Sequence, residues 1–527
     1  MTTKGADLSP VMLEILKNAV AAVPEEMGAA LKRTAYSPNI KERMDASCAL
    51  FDAQGRMLAQ AEHIPVHLGA MPLTVECALR EVADLHEGDQ LVVNDPYHGG
   101  SHLPDLTLLK PVFHEGKLLG YVVNRAHHAD VGGMAPGSMP GTSTEIYQEG
   151  LIIPPVKLVS NGMENTDIFA ILRANTRTPA ERIGDIRAQI AANNLGEQRL
   201  HEHIYRYGMS SYQTFTEAIM RYSEHRMREA IAAMPAGTYA AEDFLDDDGI
   251  TDQPVRIAVR ITIADSTITV DFAGTDKQRR GNINAPYAVT LSAVYYVLRC
   301  VTDPEIPPNH GCYRPLSIHV PEGSVLNPRH PAAVASGNVE TSQRIVDVLL
   351  LALHSALPAK IPAQSQGTMN NIAIGGPTQV GSGRFTYYET IAGGQGALPY
   401  KPGEHGIHTH MTNTANTPIE ALELSYPLRV ERYELIKESG GTGTFSGGMG
   451  IRRAIRVLTE NATLSLQSDR RKYPPRGLQG GGNGRAGMNY VLRNDKRIAL
   501  PSKITCTLER DDIVVIETPG GGAYGKP

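Results

Sequence analysis

Apolar residues recur with a helical period in several long parts of the chain, and each such part predicts a helix. The first begins at Ser9-Pro10, where serine suits the N-cap and proline the first helical position. We expect Pro24 to interrupt this helix, because proline lacks the N–H that an inner turn needs. From Thr178 to Met234 the pattern predicts two long antiparallel helices, separated by a break at 207–210. Further helices are predicted at 25–35, 68–85, 288–301 and 341–357.

Other parts of the chain show short apolar runs or two-residue alternation, which are typical of β-strands. The segment from about Pro427 onwards is dominated by short strands between glycine-rich loops. Earlier strands are predicted as a hairpin at 45–60, as buried strands at 90–93 and 118–123, and as an antiparallel hairpin at 255–263 and 266–272.

Together these elements predict an α+β fold with several subdomains. We expect an N-terminal α/β region at 1–175, which is rich in strands and holds the functional site. A long helical hairpin is predicted at 176–236, an α+β middle region at 237–426, and a β-rich region at 427–527.

The composition of the chain argues against several classes of protein. The 527 residues carry a net charge of −6, so no basic field exists that would hold nucleic acid or an anionic membrane. The five cysteines are scattered without a CxxC pair, which favours reduced thiols in the cytoplasm over a disulfide framework. The most apolar run, Ile345 to Leu357, contains Asp347 and His354 and is too short to span a bilayer.

The densest group of potential metal ligands lies in residues 94–105, which contain two carboxylates and two imidazoles. His102 and Asp105 are three residues apart, so a bend between them would turn both toward one ion. His127 or His128 would add a third ligand, and only one of the pair would face the ion because a strand directs consecutive side chains to opposite faces. This ligand set suits zinc, manganese or iron. The alternative is a set of solvated loop histidines and turn-capping aspartates.

A second polar concentration includes His408 and His410, which would point the same way on an extended chain. They would form a substrate wall or a second metal pair, or else they are polar loop residues that satisfy backbone groups. Residues 336–341 read as a helix start, whose free N–H groups are able to bind an anion or a substrate. Glycine patterns at 482–487 and 520–526 do not predict a nucleotide site, because neither is followed by a predicted helix.

Several of these motifs resemble the hydantoinase B/oxoprolinase family. The similarity is carried by the opening residues 10–15 and then by motifs along almost the entire chain. The motifs lie at 94–105, 126–133, 336–341, 409–414 and 440–450.

The resemblance implies one subunit of an ATP-dependent cyclic-amide hydrolase, of the N-methylhydantoinase, oxoprolinase or lactam-opening type. The partner would be a hydantoinase A subunit with an actin-like ATPase fold, which phosphorylates the amide oxygen. ATP and Mg²⁺ would therefore bind to the partner in a hetero-oligomer, and this chain would hold a divalent metal, with zinc expected first.

The resemblance also implies roles for individual residues. The metal ligands would be Asp45, His102, Asp105 and His127. The ion would lower the pKa of a water that attacks the activated ring carbon, and Asp45 or His128 would accept the proton. The residues expected to bind the substrate are His98, His410 and Asn413.

Two other functions remain as alternatives. Acetone and acetophenone carboxylases use related subunits, and there the phosphorylated species would be an enol that reacts with activated bicarbonate. A non-catalytic assembly subunit would use the same histidines to hold a structural metal, which protein ligands would close off completely.

Overall fold

The computed structural model of the protein describes residues 9–61, 64–378 and 383–527. Within these ranges the chain forms helices and four β-sheets, which confirms the predicted α+β class. No helix in the described part of the chain is both long and apolar enough to cross a membrane. The helices are α1 (Pro10–Thr34), α2 (Pro38–Lys41), α3 (Ala70–Glu81), α4 (Thr166–Ala174), α5 (Pro179–Tyr207), α6 (Met209–Ala232), α7 (Tyr287–Val301), α8 (His310–Tyr313), α9 (Ser342–Leu353) and α10 (Ile419–Ser425).

The N-terminal part is built on a seven-stranded antiparallel sheet, in the order β2-β1-β5-β4-β3-β6-β7. The predicted hairpin at 45–60 and the predicted strands at 90–93 and 118–123 are confirmed, although the last strand extends to His127. The strands are β1 (Ala46–Asp52), β2 (Met57–Ala61), β3 (Gln90–Val93), β4 (Asp105–His114), β5 (Lys117–His127), β6 (Val156–Ser160) and β7 (Met163–Glu164).

Both faces of this sheet are buried, so its strands contribute alternate residues to two different cores. Cys48 and Leu50 of β1 face the cluster formed with α1, α5 and α6. Ala49 and Phe51 of the same strand face the larger cluster formed with α3, α7 and α9. The two-residue period of the strand thus holds the central sheet between two apolar layers.

The other three sheets follow along the chain. The hairpin predicted at 255–263 and 266–272 is confirmed within a four-stranded sheet of order β11-β10-β9-β8, against which α9 packs. Its strands are β8 (Gly237–Leu245), β9 (Val255–Ala264), β10 (Thr267–Asp271) and β11 (Leu316–His319). The remaining strands are β12 (Asn371–Pro377), β13 (Arg384–Glu389), β14 (Leu428–Leu435), β15 (Ile451–Val457), β16 (Ala462–Gln467), β17 (Met488–Arg493), β18 (Lys496–Leu500), β19 (Lys503–Leu508) and β20 (Ile513–Glu517).

The boundary predicted between 237–426 and 427–527 does not separate two sheets. One four-stranded sheet has the order β13-β12-β16-β19, so it joins strands from both sides of that boundary. A five-stranded sheet of order β14-β15-β20-β17-β18 lies entirely in the C-terminal part. The segment after residue 427 is rich in strands, as predicted.

Helix α1 corrects the expectation that Pro24 interrupts the first helix. Pro24 lies buried inside a continuous helix from Pro10 to Thr34, and the side chain of Ser9 accepts a hydrogen bond from the Met12 amide, 3.2 Å away, as the predicted cap. An inner proline costs about 3 kcal/mol. Burial of the apolar stripe offsets this cost, since each buried residue contributes roughly 1.5–3 kcal/mol. That stripe consists of Leu16, Val20, Val23, Met27 and Leu31.

Helices α5 and α6 confirm the predicted pair and its break, but not a hairpin packed on itself. The break is Gly208, which has a φ of 82° and a ψ of 150°. Helix α5 packs mainly against α1 and the first sheet, and α6 packs mainly against α8. The two helices therefore contact each other, but they pack mainly against other elements.

A network of buried ion pairs joins the middle region to the C-terminal region. Arg344 of α9 lies 3.1 Å from Asp243 of β8 and 2.8 Å from Asp469, which follows β16. Arg470 adds bonds to Asp243 and to Asp347, and all of these side chains are excluded from solvent. Paired in this way, the charges avoid the large cost of burial alone.

Candidate metal centre and adjoining cavity

The register of β4 and β5 brings the central residues of the site together. Asp105 pairs directly opposite His127, and two residues further Thr107 pairs with Arg125. Residues that are directly opposite in an antiparallel pair project from the same face. A carboxylate and an imidazole that are distant in sequence therefore meet at one end of the sheet.

His102 completes a compact triad with these two residues. Its Nε2 lies 3.1 Å from Asp105 Oδ1 and 3.0 Å from His127 Nδ1, and His127 Nδ1 lies 3.1 Å from the same Asp105 oxygen. All three side chains are buried. Two imidazole nitrogens and one carboxylate oxygen that converge in this way form a donor set suited to a divalent metal ion. The structure thus brings together three of the four predicted ligands.

The second oxygen of Asp105 is held by residues outside the triad. Ser101 Oγ donates a hydrogen bond to Oδ2, and His67 Nε2 lies 3.4 Å from it. His67 is oriented in turn by a contact of 2.9 Å between its Nδ1 and Ser47 Oγ. Sequence reasoning missed His67 as a site residue, since its only signal was a position just before a predicted helix.

The protonation states of the triad favour binding of a cation. Burial alone would raise the pKa of the Asp105 carboxyl, but His102, His127 and His67 hold it well below its usual value. Burial lowers the pKa of His127, so this imidazole is neutral near pH 7 and its ring offers a lone pair. The site therefore combines an ionised carboxylate with a neutral nitrogen donor.

Asn338 and Tyr388 reach the triad from the middle region. Asn338 belongs to the π-helical turn Gly337–Thr341 that precedes α9, and its side-chain nitrogen lies 3.2 Å from His102 Nε2. The ring of Tyr388 stacks on His127 with 4.4 Å between centroids. Residues 336–341 were predicted only as a helix start with possible anion or substrate contacts, so the contact with His102 is a new feature.

Asp45 lies beside the triad at the start of β1. Its backbone oxygen accepts a hydrogen bond from the His127 amide at 3.0 Å, and its buried side chain lines the same small cavity as Asp105 and His127. That cavity has a volume of about 20 Å³, which is room for a single water-sized species. The structure thus brings Asp45 to the cavity beside the triad, and its role as a ligand or proton acceptor stays a prediction.

His128 faces the opposite side of the strand, which corrects its expected role as a proton acceptor. Its Nε2 contacts Gln189 Oε1 of α5 at 2.9 Å, and it lines a separate cavity with Asp130 and Arg182. Burial, followed by the charge of Arg182, lowers the pKa of His128 to about 4. Strand alternation thus selects His127 for the triad and assigns His128 to the interface with α5.

His98 also lies away from the site. Its Nδ1 contacts Asp95 at 2.8 Å, its Nε2 contacts Glu81 of α3 at 3.0 Å, and its side chain is 39% exposed. It lines neither the small cavity nor the larger one beside it. The expectation that His98 binds substrate is therefore replaced by a role in holding the loop 95–98 against α3.

A larger cavity of about 410 Å³ adjoins the small one, and it contains the other two predicted substrate residues. His410 and Asn413 line it together with His408. Thr412 lines both cavities, so the two spaces share a wall. A volume in this range accommodates a small organic ligand. The segment that carries His408 and His410 is not fully extended, because His410 has a left-handed φ of 60°.

Comparison with known proteins identifies the family of this chain. Residues 9–527 match the family model described as Hydantoinase B/oxoprolinase. An uncharacterized protein of Methanocaldococcus jannaschii is 44% identical over 99% of this chain and 91% of its own length. The 5-oxoprolinase 1 of Arabidopsis thaliana is 41% identical over 98% of this chain but only 42% of its own length. The crystal structure of the ATP-dependent caprolactamase from Pseudomonas jessenii superposes with a TM-score of 0.92 at 28% identity, covering 99% of this chain and 92% of that one. The chain therefore belongs to the hydantoinase B/oxoprolinase family, which confirms the resemblance carried by its motifs.

Proposed function

We propose that the protein is the metal-containing, ring-opening component of an ATP-dependent cyclic-amide hydrolase. The observation that carries the proposal is the convergence of His102, Asp105 and His127 on one point, beside a cavity of about 410 Å³. The family relationship and the relatives named as a 5-oxoprolinase and a caprolactamase support a cyclic amide as the class of substrate.

The proposed partner is a hydantoinase A-type ATPase, present as a separate chain or as part of a longer one. An unactivated amide is a poor electrophile with a poor leaving group, so the partner would phosphorylate the oxygen of its imidate form. ATP and Mg²⁺ would bind to that partner. Water would then add to the activated carbon at the site described here, and the ring C–N bond would break to leave an amine and an acyl phosphate. A second water would release orthophosphate from the acyl phosphate and leave the carboxylate.

The residues of this chain fit a divalent ion, with zinc expected first and manganese or iron as alternatives. His102, Asp105 and His127 would hold it, with Asp45 as a further carboxylate ligand. When bound, the ion would supply a Lewis acid that lowers the pKa of a water toward neutrality.

The side chains around this point would orient the reactants and move the proton. Asp45 lines the small cavity and would take up the proton that the attacking water releases. Asn338 contacts His102, and Ser101 with His67 fixes the second oxygen of Asp105. His410 and Asn413 would contact the substrate from the larger cavity. These positions would confine the ring between the metal ligands and the cavity wall.

The test compares metal content and ring opening in matched histidine variants. His102→Ala and His127→Ala should lose bound metal, measured by elemental analysis, and should lose ATP-dependent ring opening with the partner present. His98→Ala serves as the control from the same motif, because His98 lies outside both cavities. Wild-type turnover in the first two variants would refute the proposal.

A substrate panel then separates ring opening from carboxylation. Release of ADP should depend on a hydantoin, on 5-oxoproline or on a lactam, and the product should be the opened ring. ADP release that required a ketone and bicarbonate instead would contradict the proposal.

A further inference from the structure

The described part of the wall of the larger cavity contains basic side chains but no acidic ones. Among the described residues that line it, Lys360 is basic and none is an aspartate or a glutamate, while burial lowers the pKa of His408 and His410 and keeps both rings neutral near pH 7. Hydroxyl and amide groups from Ser365, Gln395, Thr409, Thr412 and Asn413 complete its polar surface. A concave surface with a cationic group and hydrogen-bond donors favours an anion.

His410 directs an unused hydrogen-bond donor toward this space. The hydroxyl of Tyr296 lies 3.4 Å from His410 Nδ1. Burial raises the pKa of Tyr296, so the phenol keeps its proton, and the Nε2–H tautomer of His410 is the one that lets this O–H donate to Nδ1. In this tautomer Nε2 carries the ring proton, and Nε2 is buried and has no hydrogen-bond partner among the described residues. An N–H in this state requires an acceptor from outside the protein.

Two neighbouring features agree with this reading of His410. Thr409 Oγ is also buried without a hydrogen-bond partner in the described part of the chain, and Thr409 lines the same cavity. The left-handed backbone of His410, with a φ of 60°, is uncommon for a side chain of this size. Strain of this kind is often retained at ligand-binding positions.

We propose that this cavity is an oxyanion subsite, in which His410, His408 and Lys360 hold either the phosphoryl group of the activated substrate or a carboxylate of the substrate. The inference rests on the proposed function, since the phosphorylated ring would arrive from the partner. Thr412 lies in the wall shared with the small cavity, so an oxyanion held here would place the attached ring carbon beside the triad.

Anion titrations of the full-length, metal-loaded protein test this subsite. Orthophosphate serves as one probe and glutarate as the other, with binding followed by calorimetry. His410→Phe removes the N–H and keeps a planar ring, and Lys360→Gln removes the positive charge but keeps a side-chain N–H donor for the Val301 carbonyl that Lys360 Nζ now contacts at 3.1 Å. Each variant should weaken binding of the preferred anion about tenfold, as expected for one lost hydrogen bond or charge in a partly closed site. Metal content should stay at the wild-type value.

His225→Gln is the matched control, because His225 is 73% exposed on α6 and far from the cavity lining. Weaker orthophosphate binding in the cavity variants assigns the subsite to the phosphoryl group, and weaker glutarate binding assigns it to a substrate carboxylate. Wild-type affinity for both anions in both variants overturns the inference. If the cavity variants weaken anion binding but the wild-type protein neither binds metal nor opens a ring, the proposed function is refuted and the subsite stands.

Discussion

Asp105 concentrates the negative charge of the candidate metal centre on a single buried side chain. One oxygen faces His102 and His127, while the other receives Ser101 and His67. This division fixes the plane of the carboxylate before any ion arrives. Outer contacts of this kind orient the ligands and tune their affinity for the metal.

Replacing His67 should therefore weaken metal binding without removing a ligand of the triad. We expect His67→Leu to lower the affinity for the metal by roughly 10- to 100-fold, as for other outer contacts of metal ligands. Competition with a chromophoric chelator measures the change. His225→Leu, at an exposed position on α6, should bind the metal as the wild type does. Equal affinities in the two variants would show that His67 does not orient Asp105.

Glu340 makes the stability of the protein depend on pH. Burial, and then the charge of Asp469, raises the pKa of this carboxyl from 4.5 to about 8. Between these values the folded protein holds the proton and the unfolded chain releases it, so stability falls as pH rises from about 4.5 to 8. Glu340→Gln should remove this loss, which is on the order of a few kcal/mol. Denaturant unfolding at both ends of the window measures it, and parallel pH profiles of the two proteins would contradict the assignment.

Sequence reasoning found the site residues that lie close together in the chain. His102 and Asp105 are close in the chain, and the family resemblance selected His127 over its neighbour. His67 and Asn338 reach the triad from a turn before α3 and from a π-helical turn before α9, so no spacing in the sequence joins them to it. His98 and His128 were placed wrongly, because nearby ion-pair and amide partners turn them away from the cavity.

At the scale of elements, the pairing register of β4 with β5 determines which side chains meet at the site. Strand β5 was predicted from its apolar run, whereas β4 was not predicted as a separate strand, and the pairing of Asp105 with His127 depends on which residues of the two face each other. A slip by one residue would turn His127 away and bring His128 inward. Helix α1 shows the converse case. The sequence predicted a break at Pro24, but burial of the apolar stripe on both sides of this proline stabilises one continuous helix.

The junction between α5 and α6 depends on a backbone conformation that only glycine adopts easily. Gly208 has a φ of 82° and a ψ of 150°, and a Cβ there would meet no other atom within 4 Å. Gly208→Ala should therefore destabilise the protein by about 1–3 kcal/mol through backbone strain alone. A fall in the midpoint of thermal unfolding would report it. Ser210→Ala, two residues later in regular helix, should change stability by less than about 0.5 kcal/mol, and equal effects of the two changes would exclude strain as the cause.

At the scale of the whole molecule, regions that are separate in sequence share sheets and buried charges. The sheet of order β13-β12-β16-β19 crosses the predicted boundary at 427, and the cluster around Arg344 joins α9 to β8 and to the segment after β16. The sequence predicts a helix at 341–357 but does not identify the partners of Arg344, and only the tertiary structure shows that this side chain is fully buried. For this reason, periodicity in the sequence could not predict how the regions are arranged in three dimensions.

Removing one member of this cluster tests whether it holds the regions together. Arg344→Met leaves Asp243 and Asp469 buried with one cation fewer, and breaking a buried pair in this way costs about 3–5 kcal/mol. Hydrogen exchange should then become faster in β8, α9 and β16 together, because one shared contact has been lost from all three. The control is Arg187→Met, which breaks an exposed pair with Glu164 and should cost less than about 1 kcal/mol. Faster exchange confined to α9 would show that Arg344 stabilises only its own helix, and the regions would then depend on the shared sheet alone.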